Sequence, residues 1–101
     1  MSKSLFDKVW DAHVVKSIED GPDVFFIDRH FIHEVTSPVA FLCLEKRSVG
    51  VQFPERTFAT ADHNTPTINQ HLPVEDPLSA NQLKALEGSS AKYGISHWGL
   101  G

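Results

Sequence analysis

Apolar and polar positions along the first third of the chain predict one helix and one buried strand. In residues 4–15 apolar side chains recur at helical spacing, and Ser4 with Asp7 three positions later approximates a capping box. Residues 24–27, Val-Phe-Phe-Ile, form a short apolar run rich in residues that favour strands. Such a run is typical of a strand buried on both faces, so we predict one there.

A second helix is predicted where an apolar run follows a proline. Ser37 precedes Pro38 and is a candidate N-cap, and the basic residues Lys46 and Arg47 stand where the last turn would lie. The body of this helix, residues 39–44, is apolar nearly all round. We therefore expect both of its sides to be covered by other parts of the protein.

The last third of the chain predicts a strand, a long loop and a helix. Residues 57–61 favour a strand, whereas residues 65–75 are polar and contain prolines, so we expect a loop that is the most mobile part of the chain. Asp76 followed by a proline opens a helix, and Gly94 is a candidate stop, with Gly88 as an earlier one.

The order of these elements predicts the fold class. Strand, helix, strand and helix in succession indicate an α/β fold with parallel strand pairing and flanking helices. The length of 101 residues fits one small domain. The glycine-rich end, residues 98–101, is expected to be a turn that leads into no further element. We therefore expect residues 1–101 to be a single incomplete domain, cut from a longer chain.

Composition and charge exclude several classes of protein. Nine Lys and Arg against thirteen Asp and Glu give a net charge of −4, which provides no basic surface for nucleic acid or for an anionic membrane. The single cysteine cannot form an internal disulfide. The apolar stretches fall far short of the roughly 20 residues that span a bilayer, and no export signal follows the first residues. We expect a cytoplasmic protein.

The adjacent Asp62 and His63 are the first candidates for chemistry. Histidine exchanges a proton near neutral pH, and a neighbouring carboxylate favours its charged form. At the carboxyl end of a parallel strand, such a pair stands where α/β sheets gather ligands. Neighbouring residues of a regular strand face opposite ways, so both can serve one pocket only if the chain leaves the strand there. The alternative is a strand-end turn in which Asp62 caps backbone groups and His63 is exposed.

Two further histidines and a cysteine are weighed as metal ligands. His30 and His33 with Glu34 could form a small zinc site, but zinc needs at least three protein ligands and this spacing matches no recognised pattern. Partial burial with hydrogen bonding is the alternative for both histidines. Cys43 lies in the apolar helix and is expected to be a small buried hydrophobe. We expect no metal site in this chain.

Thr36 and Ser37 offer two hydroxyl groups and free backbone N–H groups at the start of a helix. This arrangement suits an anionic ligand, and ordinary helix capping is the alternative. Both residues are therefore candidates for binding an anionic substrate.

Four blocks of sequence, in this order along the chain, resemble the large subunits of bacterial isopropylmalate dehydratases, which belong to the aconitase superfamily. They are residues 5–13 (LFDKVWDAH), 27–38 (IDRHFIHEVTSP), 56–64 (RTFATADHN) and 91–95 (AKYGI). The resemblance implies the amino-terminal part of an aconitase-type α/β/α domain, with short parallel strands and flanking helices.

By the same resemblance, the complete protein is a lyase that moves a hydroxyl group between neighbouring carbons of a dicarboxylate. It would convert 2-isopropylmalate into 3-isopropylmalate through 2-isopropylmaleate, in leucine biosynthesis. In this family a four-iron–four-sulfur (4Fe-4S) cluster binds the substrate, and a separate small subunit completes the site. Asp62 and His63 match the family's Asp-His pair, which lies beside the substrate hydroxyl and assists its protonation as it leaves.

The resemblance also implies that part of the site lies elsewhere. The three cluster-binding cysteines of the family lie beyond residue 101, and Cys43 matches none of them. We therefore expect this chain alone to bind no cluster and to be inactive. Related hydro-lyases acting on citraconate, methylmalate or homoaconitate are alternatives for the substrate. A non-catalytic module that binds a partner protein is the alternative outside the enzymes.

Overall fold

The computed structural model describes residues 2–100. Its first element is helix α1, Leu5–His13, which begins with the predicted capping box. The Ser4 hydroxyl accepts a hydrogen bond from the Asp7 N–H at 3.1 Å, and the Asp7 carboxylate accepts one from the Ser4 N–H at 3.0 Å. These bonds satisfy N–H groups that the start of a helix otherwise leaves free. The helix ends earlier than predicted, because the chain becomes extended at Val14.

A two-stranded antiparallel ribbon follows α1. Its strands are β1 (Val14–Ser17) and β2 (Asp23–Phe25). The Trp10 indole N–H of α1 donates to the Asp23 carboxylate at 2.7 Å and so holds the ribbon against the helix. The prediction of a strand buried on both faces at residues 24–27 is wrong, since β2 is shorter and Ile27 is 62% exposed. Because the run lies in a ribbon and not inside the parallel sheet, its apolar side chains remain at the surface.

The other three strands form a parallel sheet in the order β3–β4–β5. They are β3 (His30–Ile32), β4 (Thr57–Thr60) and β5 (Ser96–Trp98). In this register Ile32 lies opposite Ala59. The α/β class with parallel strands is confirmed, and so is the strand predicted at residues 57–61, which ends one residue earlier. The parallel partners of β4 are β3 and β5, not the run at residues 24–27.

The sequence pattern does not indicate β3 or β5, because three residues are too few for the alternation of a strand to show. Trp98 pairs with Thr60 as the last residue of β5, and its carbonyl accepts the Ala61 N–H at 3.1 Å. The prediction of a turn over residues 98–101 is therefore wrong at its first residue. The last residue of that prediction, Gly101, lies outside the described residues.

Helix α2, Ser37–Lys46, starts one residue earlier than predicted. The cap position is Thr36, whose side chain makes no capping hydrogen bond, and Ser37 already lies in the first turn, so the prediction of Ser37 as N-cap is wrong. Val39 is 67% exposed and Cys43 is also exposed. Only one face of α2 meets the core, so the described residues neither cover its other side nor bury Cys43, and cover by other parts of the protein stays a prediction.

Helix α3, Pro77–Tyr93, has the predicted beginning and end. The Asp76 carboxylate accepts a backbone N–H of the first turn at 2.8 Å, and Gly94 follows the helix in the left-handed conformation with φ of 70°. Glycine adopts this conformation without the clash that a Cβ causes. The helix continues through Gly88, and residues 65–75 before it contain neither helix nor strand, as predicted. Among residues 2–100 no helix, α3 included, combines the length and the apolar character needed to cross a membrane.

Four buried apolar side chains form a small core between α2, α3 and the parallel sheet. They are Phe41, Ala59, Leu86 and Ile95. The accessible surface of 7846 Å² exceeds the roughly 5,700 Å² expected for a folded chain of this mass. The radius of gyration, 17.6 Å, likewise exceeds the expected value of about 13 Å. The described residues therefore leave much of their apolar surface uncovered.

Candidate active site

The candidate active site lies where β3 and β4 end. Ile32 ends β3, and the next two residues are His33 and Glu34. Thr60 ends β4, and residues 62–64 follow it in a turn. Because the carboxyl ends of neighbouring parallel strands meet at the same edge of a sheet, the two segments come together there, as the sequence predicts for a ligand site.

The Asp62 and His63 side chains form a pair in this turn. The Asp62 Oδ2 and the His63 Nδ1 lie 2.8 Å apart, and each side chain is a little more than half exposed, at 60% and 54%. The chain has left the strand, so the two neighbouring side chains are able to meet. The Asp62 carboxylate contacts the imidazole, and it is the Asp62 carbonyl that closes the turn by accepting the Thr65 hydroxyl at 3.0 Å. The pair is therefore available to a ligand.

The Glu34 carboxylate holds this turn in place by accepting backbone N–H groups, a role that the sequence pattern does not indicate. Its side chain is fully buried, with 0% exposure. One carboxylate oxygen accepts the Asp62 N–H at 3.0 Å, and the other accepts the Asn64 N–H at 2.5 Å. The two donors flank His63 in the chain. Glu34 was a candidate only as a zinc ligand, and both of its oxygens are instead engaged by backbone groups.

The charge state of Glu34 follows from the same contacts. Burial raises the pKa of the Glu34 carboxyl, because the ionised form loses its contact with water. Backbone N–H groups of Asn64, Glu34 itself, Asp62 and His63 outweigh this effect and hold the pKa below its ordinary value. The buried group is therefore a carboxylate that is satisfied by hydrogen bonds, as a buried charge must be.

Asn64 ties the other side of the turn to helix α3. Its side-chain amide donates to the Gln82 side chain, and its side-chain oxygen accepts the Ser79 hydroxyl at 3.2 Å. The turn is thus fixed from two directions, by Glu34 after β3 and by α3. No short-range pattern in the sequence indicates these contacts, since they join positions 15 to 30 residues apart.

His33 is brought beside the pair, and His30 is not. The ring centroids of His33 and His63 lie 4.1 Å apart. The Val35 N–H donates to the His33 Nδ1 at 3.2 Å, which leaves the Nε2 of His33 as its N–H donor. His30 begins β3, at the opposite end of that strand from His33. The two histidines therefore do not act as one ligand pair.

A cavity of about 540 Å³ runs along β3, and His30, His33, Thr36 and Ser37 contribute to its lining, whereas Asp62 and His63 do not. Ser37 is 4% exposed, and its hydroxyl oxygen is buried without a hydrogen-bond partner. Thr36 and Ser37 make no side-chain capping bond to α2. The alternative interpretation, in which these hydroxyl groups cap α2, is therefore wrong.

The described residues do not form a ligand set for an iron–sulfur cluster. Such clusters are held mainly by cysteine thiolates, and the one cysteine, Cys43, is exposed on α2. Within residues 2–100 no group of three or more His, Cys, Asp or Glu side chains is arranged to hold a metal ion. The zinc site considered for His30, His33 and Glu34 is accordingly not assembled.

Comparison with known proteins places the chain in a family. The model of the aconitase family (aconitate hydratase) matches residues 7–101, so this chain belongs to that family. Among curated relatives, the chain is similar to 3-isopropylmalate dehydratase large subunits. It is 82% identical to that of Flavobacterium johnsoniae and 45% identical to that of Thermus thermophilus, over 101 residues in each case. The match covers the whole chain but only 22% and 21% of these relatives, and no solved structure matches.

Proposed function

We propose that this chain forms one wall of the active site of a 3-isopropylmalate dehydratase. The reaction interconverts 2-isopropylmalate and 3-isopropylmalate through 2-isopropylmaleate, as a step of leucine biosynthesis in the cytoplasm. The observation that carries the proposal is the Asp62–His63 pair, joined at 2.8 Å at the carboxyl edge of a parallel sheet. The similarity to 3-isopropylmalate dehydratase large subunits over the whole chain supports it.

The pair supplies the proton that a departing hydroxyl needs. In dehydration one carbon loses its hydroxyl as water, and its neighbour loses a proton to a base that this segment does not supply. Hydroxide is a poor leaving group unless it is protonated. The Asp62 carboxylate lies 2.8 Å from the Nδ1 of His63, which leaves the Nε2 of the ring as the atom that faces the substrate in this proposal. His63 then donates its Nε2 proton as the C–O bond breaks, and takes it back from water in the hydration step.

Thr36 and Ser37 bind one carboxylate of the dicarboxylate substrate. They stand at the start of α2, where backbone N–H groups and the helix dipole favour an anion. Thr36 and Ser37 line the cavity that His33 also borders, and the hydroxyl of the exposed Thr36 can donate to a carboxylate oxygen. His33 lines this cavity and its ring also lies against the ring of His63, which does not itself line the cavity.

The remaining parts of the site come from outside this segment. The chain spans about a fifth of the length of the curated relatives it matches. We propose that residues 1–101 are one incomplete part of the large-subunit domain. The rest of the subunit holds the 4Fe-4S cluster, whose chemistry in this reaction is that of a Lewis acid, and a small subunit completes the site.

The experiment uses an assembled enzyme. This chain replaces the matching segment of the Flavobacterium johnsoniae large subunit, and the chimera is combined with its small subunit and loaded with iron and sulfide. We expect Asp62→Asn to lower kcat for 2-isopropylmaleate hydration by about 10²- to 10⁴-fold, the usual contribution of a positioned acid or base. The matched control is Asp11→Asn, which changes an exposed carboxylate on α1 paired with Lys3. It should leave kcat unchanged.

Two further comparisons sharpen the result. The isolated 101-residue chain, treated with iron and sulfide in the same way, should show neither cluster absorbance nor turnover. Citraconate and homoaconitate offered to the chimera distinguish the related hydro-lyases, and a preference for either would replace the proposed substrate. A kcat for Asp62→Asn within twofold of the parent chimera would refute the role of the pair.

A further inference from the structure

We propose that Glu34 is a positioning residue for the Asp62–His63 pair. The inference rests on the proposed function, because the pair has to be catalytic for its placement to matter. Glu34 is fully buried, and its two oxygens accept the backbone N–H groups of Asp62 and Asn64, one on each side of His63. It reaches them from the segment after β3, 28 and 30 residues earlier in the chain.

The geometry explains why Glu34 acts through the pair and not on substrate. Both carboxylate oxygens are occupied by backbone donors, and the side chain has no exposed surface from which to reach a ligand. A carboxylate that accepts N–H groups on both sides of one residue fixes the backbone at that residue in two places. The His63 ring can therefore change direction only by its side-chain torsions, and Asp62 limits these through the contact to Nδ1.

Asn64 and α3 do not replace this contact. The Asn64 side chain bonds Gln82 and Ser79, and so anchors the far end of the turn. The backbone N–H on the near side of His63, that of Asp62, has Glu34 as its acceptor. Loss of the second carboxylate oxygen is therefore expected to free one side of the turn while the fold of the sheet and helices is kept.

Glu34→Gln in the chimera described above tests the proposal. The amide keeps the shape of the side chain but offers one acceptor oxygen, and its NH₂ group faces a backbone N–H that it cannot accept. We expect kcat per cluster-loaded site to fall at least tenfold, with KM within twofold of the parent. Glu34→Asp, which keeps the charge and both acceptors on a shorter side chain, should recover part of the lost kcat.

A control separates positioning from general stability. Leu86→Ala opens the core in α3 without touching the turn, since Leu86 is fully buried among apolar residues. It should lower thermal stability and leave kcat per loaded site within twofold of the parent. A structural role of Glu34 alone would give Glu34→Gln the same behaviour as Leu86→Ala, and that result would overturn the proposal.

The double variant gives the signature that a structural role would not produce. If Glu34 acts only through the pair, Glu34→Gln combined with Asp62→Asn should be no slower than Asp62→Asn alone, because groups that act as a unit are not additive. Multiplied losses in the double variant would overturn the proposal. If Asp62→Asn itself keeps the parent kcat, the proposed function fails first, and the positioning role fails with it. If the Glu34→Gln chimera does not assemble, Glu34→Asp takes its place. The kcat of Glu34→Asp, of Asp62→Asn and of their double variant is then compared with that of the parent.

Discussion

Truncation of Leu86 tests the core that supports the site. Leu86 lies in α3, is fully buried, and packs in a cluster of four apolar residues. Leu86→Ala removes the equivalent of three buried methylene groups, at about 0.8 kcal/mol each. The cavity left behind adds to this, and comparable truncations cost about 2.7–5.0 kcal/mol. Because the core is small and its surroundings are open, we expect it to relax, which places the cost near 3 kcal/mol.

The assay is amide hydrogen exchange of α3 in the assembled chimera, because local opening of a helix is read directly by this measurement. A loss of 3 kcal/mol corresponds to exchange about 150-fold faster in the α3 amides around Leu86. The matched control is Leu78→Ala in the same helix, where the side chain is 75% exposed. Its cost should stay within about 0.5 kcal/mol. Equal exchange rates in the two variants would refute the assignment of Leu86 to the core.

Two further outcomes follow from local contacts. The Val9 carbonyl, and after it the Asp28 carboxylate, raise the pKa of His13, while the bond to His13 lowers the pKa of Asp28. The stabilisation of α1 by these His13 contacts should therefore be complete between about pH 3.9 and 6.5, and it should be lost above and below this range as the folded-state pKa of His13 or of Asp28 is passed. Amide exchange of α1, corrected for its intrinsic pH dependence, measures this. His13→Gln should abolish the loss of stability at the high-pH side. Gly94→Ala should destabilise α3 by about 1 kcal/mol, because Gly94 has a positive φ that alanine adopts with strain. Gly88→Ala should stabilise α3 by about 0.5–1 kcal/mol, because Gly88 lies inside the helix and a Cβ there meets no other atom. Changes in the same direction for both glycine variants, measured by exchange of α3 amides, would contradict this explanation.

Most features fixed by neighbouring residues are predicted well from the sequence, although the N-cap predicted at Ser37 is not. The capping box of Ser4 and Asp7, the start of α3 at Asp76 and its stop at Gly94 all involve contacts within three or four positions. Such contacts depend on residue type and spacing, which are visible in the sequence itself. The predictions made from them are confirmed.

Burial is predicted less well, because it depends on which elements meet. The apolar run at residues 24–27 has the composition of a central strand, yet it falls in and after a two-stranded ribbon. The apolar body of α2 likewise predicts cover on both sides, whereas Val39 and Cys43 are exposed in the described part of the chain. The apolar pattern of a segment indicates that its side chains favour burial, but it does not indicate which other segment packs against them.

The candidate site is predicted in part. Asp62 and His63 are visible as an acid–imidazole dipeptide after a strand, and the structure brings them into contact. The role of Glu34 is not visible, because its contacts cross 28 and 30 residues. The sequence pattern indicates neither β3 nor the burial of Glu34, so it offers no signal for this role.

The position of the bound substrate relative to His63 tests the central claim most directly. A crystal structure of the assembled chimera with 2-isopropylmalate should place the substrate hydroxyl within hydrogen-bond distance of the His63 Nε2, about 2.6–3.2 Å, with Asp62 still on the Nδ1. A structure in which substrate is bound while the imidazole faces bulk water, with another group beside the hydroxyl, would contradict it.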